Sequence, residues 1–414
     1  MKIAVLVDLE LSDKSGGHVK YWQRICESLK PTNNEIDITI FYLGKKKESI
    51  FISERIRYEL IKPILSSNIL KILGIDADIT DLFPINFRLL LRLKKYDLVH
   101  TTDQFFAMSK TAKLATKIWD IPLTTSIHTD TPPYTKYYVK KVLSKIFSIF
   151  FRFDKLLIES FKIPEHFEKK MYKKIYKYIS NIDHAMVADR IYSPQFLIKK
   201  TGNKNITKLN RGINKNIFFI KKENRINICK KFNIPLNDKI IFFTGRIHEL
   251  KGALLLSQIH KKLIEKGHSI TTIMAGQGAH EKECKIIAGK KLNLIGYLSH
   301  EEISCLYRVC DLFVFPSQFE IGPNVVIEAK ACGAICVVSP DGGGKRIYKP
   351  NLDGIIVKNY ELNEWINSIE DLLYDKKKIR TIKSFLKNQK ILTWDDIFLN
   401  DILPFWKKLV NKRK

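Results

Sequence analysis

The segment Phe315-Pro-Ser-Gln-Phe-Glu-Ile-Gly-Pro-Asn-Val-Val-Ile-Glu-Ala-Lys-Ala-Cys-Gly333 carries two glutamates, Glu320 and Glu328, with seven residues between them. The run Asp311-Leu-Phe-Val-Phe-Pro316 overlaps its start and predicts a buried strand, and residues 324–332 predict a helix that Gly333 ends. In an open α/β sheet, ligands bind in the loops that follow the carboxyl ends of the strands. We therefore expect Glu320 in a ligand-binding loop and Glu328 inside the helix.

The start of that helix is itself a candidate binding element. Its first N–H groups have no partner within the helix and can bind hydroxyl or phosphate oxygens of a ligand. The residues leading into it are Gly322, Pro323, Asn324 and Val325.

A second strand, loop and helix lie upstream, in Phe242-Phe-Thr-Gly-Arg-Ile-His-Glu-Leu-Lys-Gly252. Arg246 and Lys251 flank the turn that follows Gly245. Two cations beside a helix start favour a diphosphate, arginine as a planar fork and lysine as a point charge.

Together these motifs resemble the retaining family 4 glycosyltransferases of the GT-B fold, across nearly the full chain. The markers follow the family's order: Gly16-Gly17, Asn210-Arg-Gly-Ile-Asn214 with Phe218, Gly245-Arg246, Lys251-Gly252, Gly276-Gln-Gly278, Gly296-Tyr-Leu298, Glu320 with Glu328, and Gly342-Gly-Gly344.

The resemblance implies an α/β protein of two Rossmann-like doubly wound domains that face each other across a cleft. Residues 1–205 would form an acceptor-binding domain and residues 206–390 a nucleotide-sugar-binding domain. Residues 391–414 would form a helix that returns to the first domain.

The resemblance also implies roles for individual residues. Arg246 and Lys251 would stabilise the departing diphosphate, Glu320 would hold sugar hydroxyls, and His128 would reach the reacting centre. The implied donor-binding residues are Gly16, Gly17, Gly245, Leu298, Gly322, Pro323, Asn324, Val325 and Glu328. Neither a metal nor another cofactor is expected beside the substrate nucleotide sugar.

For Glu328 the residue alone favours an exposed position on the helix surface, whereas the resemblance implies contact with the ribose hydroxyls. A carboxylate can accept two hydroxyl hydrogen bonds at once, which suits a vicinal diol.

Two positions depart from the family's pattern. Gly333-Ala334-Ile335 replaces the usual Gly-x-Pro, which alters the turn. Lys345 and Arg346 follow Gly342-Gly-Gly344 where a glutamate is usual. They are either additional phosphate contacts or exposed charges.

His128-Thr-Asp130-Thr-Pro-Pro-Tyr134 follows a predicted strand at residues 122–127. A histidine at a strand's carboxyl end, before a polar loop with prolines, is expected to point into the crevice. A structural histidine remains the alternative. With Asp130 and Tyr134 as acceptor-side candidates, the segment resembles family members that glycosylate diacylglycerol-type or other lipid acceptors.

Length and composition set the outer limits. A chain of 414 residues exceeds the usual single domain, so two are expected. No stretch of about 18 uncharged apolar residues predicts a membrane-spanning helix. The start, Met1-Lys-Ile-Ala-Val-Leu-Val-Asp8, is interpreted as the first strand rather than a signal peptide. The seven cysteines lack metal or disulfide spacing and fit a reducing cytoplasm.

The formal charge of +28 indicates an anionic partner, unless it reflects a lysine-rich genome composition. Residues 135–178 hold twelve basic against four acidic residues, interleaved with aromatic ones. Basic amphipathic helices of this kind lie on anionic membranes, but two helices with aromatic residues packed inward would look the same. No nucleic-acid partner is expected, because no RNA- or DNA-binding module is recognisable.

The sequence therefore predicts a cytoplasmic, peripheral membrane glycosyltransferase. It would transfer a hexose from a nucleotide diphosphate sugar, UDP-linked in preference to GDP-linked, to diacylglycerol or a glycolipid. An enzyme of lipopolysaccharide, capsule or polysaccharide assembly using GDP-mannose or a UDP-sugar is the alternative. A protein that binds a nucleotide sugar or a membrane without catalysis is a further one.

Overall fold

The computed structural model describes residues 1–12, 17–29, 35–69, 79–128, 131–147, 156–188, 193–318, 320 and 322–413. The chain forms two compact units. The first comprises Met1–Asn210 with Asp395–Lys414, and the second comprises Arg211–Trp394.

The first unit is built on an eight-stranded sheet in the order β3-β4-β2-β1-β5-β6-β7-β8. All pairings are parallel except that of the edge strand β3 with β4. The strands are β1 Lys2–Glu10, β2 Asp37–Leu43, β3 Glu48–Phe51, β4 Ile56–Ile61, β5 Leu98–Thr101, β6 Leu123–Ile127, β7 His184–Val187 and β8 Ile206–Lys208. Because β8 pairs with β7, this sheet continues past residue 205.

Helices follow most of these strands. They are α1 Gly17–Leu29, α2 Phe87–Leu93, α3 Ala107–Trp119, α4 Thr131–Phe147, α5 Ile163–Ile179 and α6 Pro194–Thr201, with a π-helical turn at Leu156–Ser160. Strands β1, β2 and β5 are buried along most of their length. They read as continuous apolar runs because helices cover a parallel sheet on both faces.

The second unit is built on a six-stranded parallel sheet in the order β11-β10-β9-β12-β13-β14. The strands are β9 Lys239–Thr244, β10 Ile270–Ala275, β11 Leu292–Leu294, β12 Leu312–Phe315, β13 Cys336–Val338 and β14 Ile355–Ile356. The helices are α7 Arg225–Lys231, α8 Ala253–Glu265, α9 Glu281–Ala288, α10 His300–Val309, α11 Asn324–Ala331, α12 Leu362–Tyr374 and α13 Lys376–Asn388, with 3-10 turns at Glu249–Lys251 and Gly344–Arg346. The predicted α/β class with two Rossmann-like parallel-sheet units is confirmed.

Each sheet has one topological switch point, where successive strands leave in opposite directions. In the first unit it lies between β1 and β5, and in the second between β9 and β12. Ligands of open α/β sheets bind at the carboxyl ends of the strands at such points. The loops after these four strands are therefore where a site is expected.

The carboxyl-terminal segment contains α14 Trp394–Ile397, a π-helical turn at Phe398–Ile402 and α15 Leu403–Arg413. The sequence pattern predicts a helix with an apolar stripe of Trp394, Ile397, Ile402, Phe405 and Leu409. The first three are buried, but Trp406 and Val410 are buried in place of Phe405 and Leu409. A π turn contains one residue more than an α turn, so it moves the apolar face by one position. Trp406 stacks on Trp22 of α1 with ring centroids 5.9 Å apart.

Candidate functional site

The loops after β9 and β12 meet through an ion pair. Lys251 Nζ, in the 3-10 turn after β9, contacts Glu320 Oε1, in the loop after β12. The Glu320 N–H also donates to the carbonyl of Asp341, after β13, over 3.1 Å. Three neighbouring strand ends are thereby joined, and the pair spans the switch point of the second sheet.

Glycines allow these loops to approach one another. Gly252 has φ of +76°, and a Cβ atom there would lie 2.3 Å from the carbonyl oxygen of Pro316. Gly276 has φ of +133°, and its Cβ would lie 2.0 Å from the carbonyl oxygen of Gly245. Both the left-handed backbone and the missing side chain are required at these positions.

Glu328 lies in α11 and is 4% exposed, so the exposed position that the residue alone suggested is wrong. It is close to the buried phenol of Tyr307, whose pKa is raised by burial and further by the Glu328 charge. Contact between Glu328 and the ribose hydroxyls remains a prediction.

The first residue of α11 is partly unsatisfied. The side-chain Oδ1 and Nδ2 atoms of Asn324 are both buried, and neither has a hydrogen-bond partner among the described residues. An unpaired buried amide costs on the order of 1–3 kcal/mol. The helix start is therefore polar, buried and suited to a ligand's hydroxyl groups.

The remaining predicted donor residues are placed as follows. Arg246 is exposed directly after β9, beside Gly245, and Pro323 is buried before α11. Leu298 and Val325 pack partly buried against the core of the second unit. Gly17 begins α1, whereas Gly16 lies outside the described residues. Their contacts with a donor remain predictions.

Lys345 and Arg346, which stand where the family has a glutamate, differ in exposure. Lys345 is exposed, whereas Arg346 is only 9% exposed. Arg211, within the Asn210-Arg-Gly212 motif, is also 9% exposed. Arg211 was not predicted as a site residue, although its motif is one of the family's markers.

In the first unit, His128 follows β6 and is 6% exposed. Its Nε2 lies 2.6 Å from Ser126 Oγ, and His100 Nε2 lies 2.8 Å from the same oxygen. His100 Nδ1 in turn lies 2.8 Å from Thr124 Oγ1. This series of hydrogen bonds orients the imidazole ring of His128.

Burial lowers the pKa of His100 to about 3. The imidazole is therefore neutral at physiological pH, with one N–H donor and one acceptor nitrogen. Ser126 thus links His128 to an uncharged partner.

Two buried carboxyls lie near the switch point of the first sheet and were not predicted as site residues. Asp8 accepts hydrogen bonds from the N–H groups of Asp81 and Met108, each over 2.8 Å. Burial raises the pKa of Asp8, and the nearby Asp103 raises it further. An acidic residue that ends the apolar run of β1 was the available signal.

Of the acceptor-side candidates, Tyr134 lies half-buried in α4 and Asp130 lies outside the described residues. Among the residues described above, no group of three His, Cys, Asp or Glu residues could hold a metal ion. No helix among the described residues is both long and apolar enough to cross a membrane.

Residues 224–389 match the family described as glycosyl transferases group 1. D-inositol 3-phosphate glycosyltransferases of Mycobacterium tuberculosis and Mycobacterium bovis are 25% identical over 146 residues, which is 34% of this chain. The match spans only 30% of the length of those relatives.

Solved structures resemble the whole chain. Sucrose-phosphate synthase from Thermosynechococcus elongatus has a TM-score of 0.70 at 17% identity, with 99% of each chain covered. A glycosyltransferase from Rickettsia africae has a TM-score of 0.65 at 17% identity, covering 99% of this chain and 98% of that one. Anabaena Alr3699/HepE in complex with UDP-glucose has a TM-score of 0.64 at 15% identity, covering 100% of this chain and 99% of that one.

These likenesses show the fold, and the family match covers most of the second unit. The chain therefore has the GT-B fold of two Rossmann-like units, and residues 224–389 are similar to the glycosyl transferases group 1 family.

Proposed function

We propose that the protein is a retaining, metal-independent glycosyltransferase that moves a hexose from a UDP-sugar to a membrane-associated acceptor, diacylglycerol or a glycolipid. The observation that carries the proposal is the Lys251–Glu320 ion pair at the switch point of the second sheet. It lies within the residues that match the glycosyltransferase family, at the edge where α/β sheets bind ligands.

The proposed reaction breaks the bond between the sugar's anomeric carbon and the diphosphate oxygen. Negative charge then grows on the departing diphosphate, and Arg246 and Lys251 are the cations that would stabilise it. Each charge-assisted hydrogen bond contributes about 1.5–3 kcal/mol. Glu320 holds the ammonium of Lys251 at the loop until the donor arrives.

The carboxylates and the start of α11 would position the sugar nucleotide. Glu320, Asn324 and the N–H groups from Gly322 to Val325 would bind the sugar hydroxyls, and Glu328 the ribose. Retention would follow from attack by the acceptor hydroxyl on the face that the diphosphate leaves. The acceptor's proton would pass to a phosphate oxygen.

His128 would contact the sugar from the first unit. Its ring is held by a hydrogen bond to Ser126, which in turn contacts the neutral His100. Asp130 and Tyr134 follow in the same segment and are the proposed acceptor-side residues.

The membrane-associated acceptor is supported by one face of α5. The lysines of this helix that project into solvent are Lys169, Lys170, Lys173, Lys174 and Lys177. Three of its aromatic residues, Tyr172, Tyr176 and Tyr178, pack against the core of the first unit, whereas Phe167 is 46% exposed. Docking would combine this phenyl ring with the lysines, at about 1 kcal/mol for each basic residue near an anionic surface.

Liposome sedimentation tests the docking. Binding to phosphatidylserine vesicles should fall as salt rises and should weaken when Lys169, Lys173 and Lys177 are changed to Glu. Unchanged binding in that variant would remove α5 from the proposal.

The activity itself is tested by a donor screen. Purified protein is incubated with UDP- and GDP-sugars and a lipid extract, and released nucleotide and new glycolipid are both measured. Glycolipid from a UDP-sugar is the expected result. Nucleotide release without glycolipid would indicate that the acceptor is a polysaccharide or another substrate. No release from any donor would contradict the proposed glycosyltransferase activity.

A further inference from the structure

Arg346 is a buried cation beside the proposed donor loop. It ends the 3-10 turn Gly344–Arg346 after β13 and is 9% exposed, whereas its neighbour Lys345 is exposed. Its carbonyl oxygen accepts a hydrogen bond from Lys330 Nζ over 2.7 Å, which anchors the backbone and leaves the guanidinium for another partner.

The guanidinium of Arg346 has no acidic partner among the residues that the structure describes, where no carboxylate oxygen lies within 4.0 Å of its nitrogens. Arg308 of the same unit is the contrast. Its side chain is 4% exposed, pairs with Glu223 at 3.0 Å, and donates to the carbonyl oxygens of Ile217 and Phe219.

A buried charge without a counter-charge is costly, so proteins pair it or neutralise it. Arginine cannot be neutralised, because its pKa lies above 12. A ligand anion would supply the missing partner.

The guanidinium points at the loop that leads into α11. A Cβ atom on Gly322 would lie 2.5 Å from Arg346 Nη2 and 3.5 Å from Arg211 Nε. Two guanidinium groups thus lie against one glycine, in the same loop as Glu320. Only glycine leaves that space open.

The unpaired amide of Asn324 is a second and independent sign of a ligand here. It lies two residues beyond Gly322, at the first turn of an eight-residue helix. An anion at this position would meet the guanidinium of Arg346, the amide of Asn324 and the N-terminal end of the α11 dipole.

We propose that Arg346 binds an anionic group, a carboxylate or a phosphate, that the sugar substrate carries in addition to the donor diphosphate. The inference rests on the proposed function and specifies its substrate class. Arg246 and Lys251 serve the diphosphate, and Arg346 serves the further anion. A planar guanidinium matches carboxylate and phosphate oxygens in a two-pronged geometry that lysine cannot copy.

The test is calorimetric binding with matched ligand pairs. UDP-glucuronic acid and UDP-glucose differ in one carboxylate on the donor sugar. Glucose 6-phosphate and glucose, titrated into the UDP complex, differ in one phosphate on an acceptor-like sugar. UDP alone reports both correct folding and the diphosphate site.

In the wild type, the anionic member of at least one pair is expected to bind about 10- to 100-fold more tightly, the value of one charge-assisted hydrogen bond. Arg346→Gln should abolish that preference without changing the affinity for UDP. Arg346→Lys should keep part of it. Arg380→Gln, an exposed arginine lost from the same unit, should keep all of it.

The pair that shows the preference tells whether the anion belongs to the donor or to the acceptor. UDP binding without a preference in either pair would overturn the proposal. An equal loss of UDP and UDP-glucuronic acid affinity in Arg346→Gln would also overturn it, by assigning Arg346 to the diphosphate. A wild type that binds no UDP would instead contradict the proposed function.

Discussion

The two sheets end in switch points of different character. The second unit brings charges together at its strand ends: Lys251 with Glu320, and Arg346 against Gly322. The first unit instead has a hydrogen-bonded series of His100, Ser126 and His128. The same topology therefore places ionic side chains at the strand ends of one unit and a histidine–serine series at those of the other.

The difference follows from burial. At the edge of the second sheet, Lys251 and Glu320 keep partial solvent access and each other as ionic partners. His100 is completely buried without an acidic partner, and burial lowers its pKa to about 3. Topology decides where a ligand can bind, and the local cost of charge decides which chemistry is available there.

The largest effect on stability is expected at a buried ion pair in the second unit. Lys330 Nζ lies 2.8 Å from Asp353 Oδ2, with side chains 1% and 0% exposed. Lys330→Met leaves Asp353 buried without its counter-charge, which should lower the free energy of unfolding by about 3–5 kcal/mol. Urea denaturation measures it.

Lys358→Met, at an exposed lysine of the same unit, is the control and should change stability by less than about 0.5 kcal/mol. If Lys330→Met were as stable as this control, the second unit would not depend on paired buried charge.

A smaller loss of stability is expected when the pH is lowered, and it arises from His100 in the first unit. The pKa of His100 is lowered from 6.5 to about 3, so below pH 6.5 the unfolded chain binds a proton that the folded chain does not. Stability from this group is complete above pH 6.5 and is lost progressively as the pH falls toward 3. Between pH 7 and pH 5 the loss is about 2 kcal/mol.

His100→Gln removes this titration, so its stability should fall less between pH 7 and pH 5 than that of the wild type. Denaturant midpoints at the two pH values measure the difference. His166→Gln, at an exposed histidine of α5, should retain the wild-type dependence. If the stability of His100→Gln fell between pH 7 and pH 5 as much as that of the wild type, His100 would not be held neutral in the folded protein.

The smallest effect on stability is expected at Gly17. A Cβ atom there would meet nothing within 4 Å, so Gly17→Ala fits the fold and should stabilise α1 by up to about 1 kcal/mol. If the donor diphosphate approaches this helix start closely, donor turnover should still fall. Thermal unfolding and nucleotide release separate the two outcomes, and unchanged turnover would exclude Gly17 from the donor site.

Regular features of the fold were accessible from the sequence. Apolar runs closed by glycine or proline predicted most central strands, because the parallel sheets are covered on both faces. The β3–β4 edge was missed, because Glu48–Phe51 is largely exposed and does not alternate apolar with polar residues. The π turn at Phe398–Ile402 has no clear signal in the sequence. The apolar face that follows it is therefore shifted by one residue from the predicted face.

For the site, motif spacing brought Lys251 and Glu320 to one edge, and the structure joins them. The burial of Glu328 and Arg346 could not be read from spacing, because it depends on which strand ends lie beside α11. The link from His100 through Ser126 to His128 was also missed. It joins residues on neighbouring strands β5 and β6, which only the sheet register aligns.

The most direct test of the charged edge is UDP-sugar turnover by the wild type, Lys251→Ala and Lys261→Ala, the last an exposed lysine of α8. Loss of one preorganised donor to a developing negative charge costs about 100- to 1,000-fold in rate. We predict such a loss in Lys251→Ala with folding intact, and wild-type turnover in Lys261→Ala. Equal turnover in all three proteins would contradict the assignment of the diphosphate site to the switch point of the second sheet.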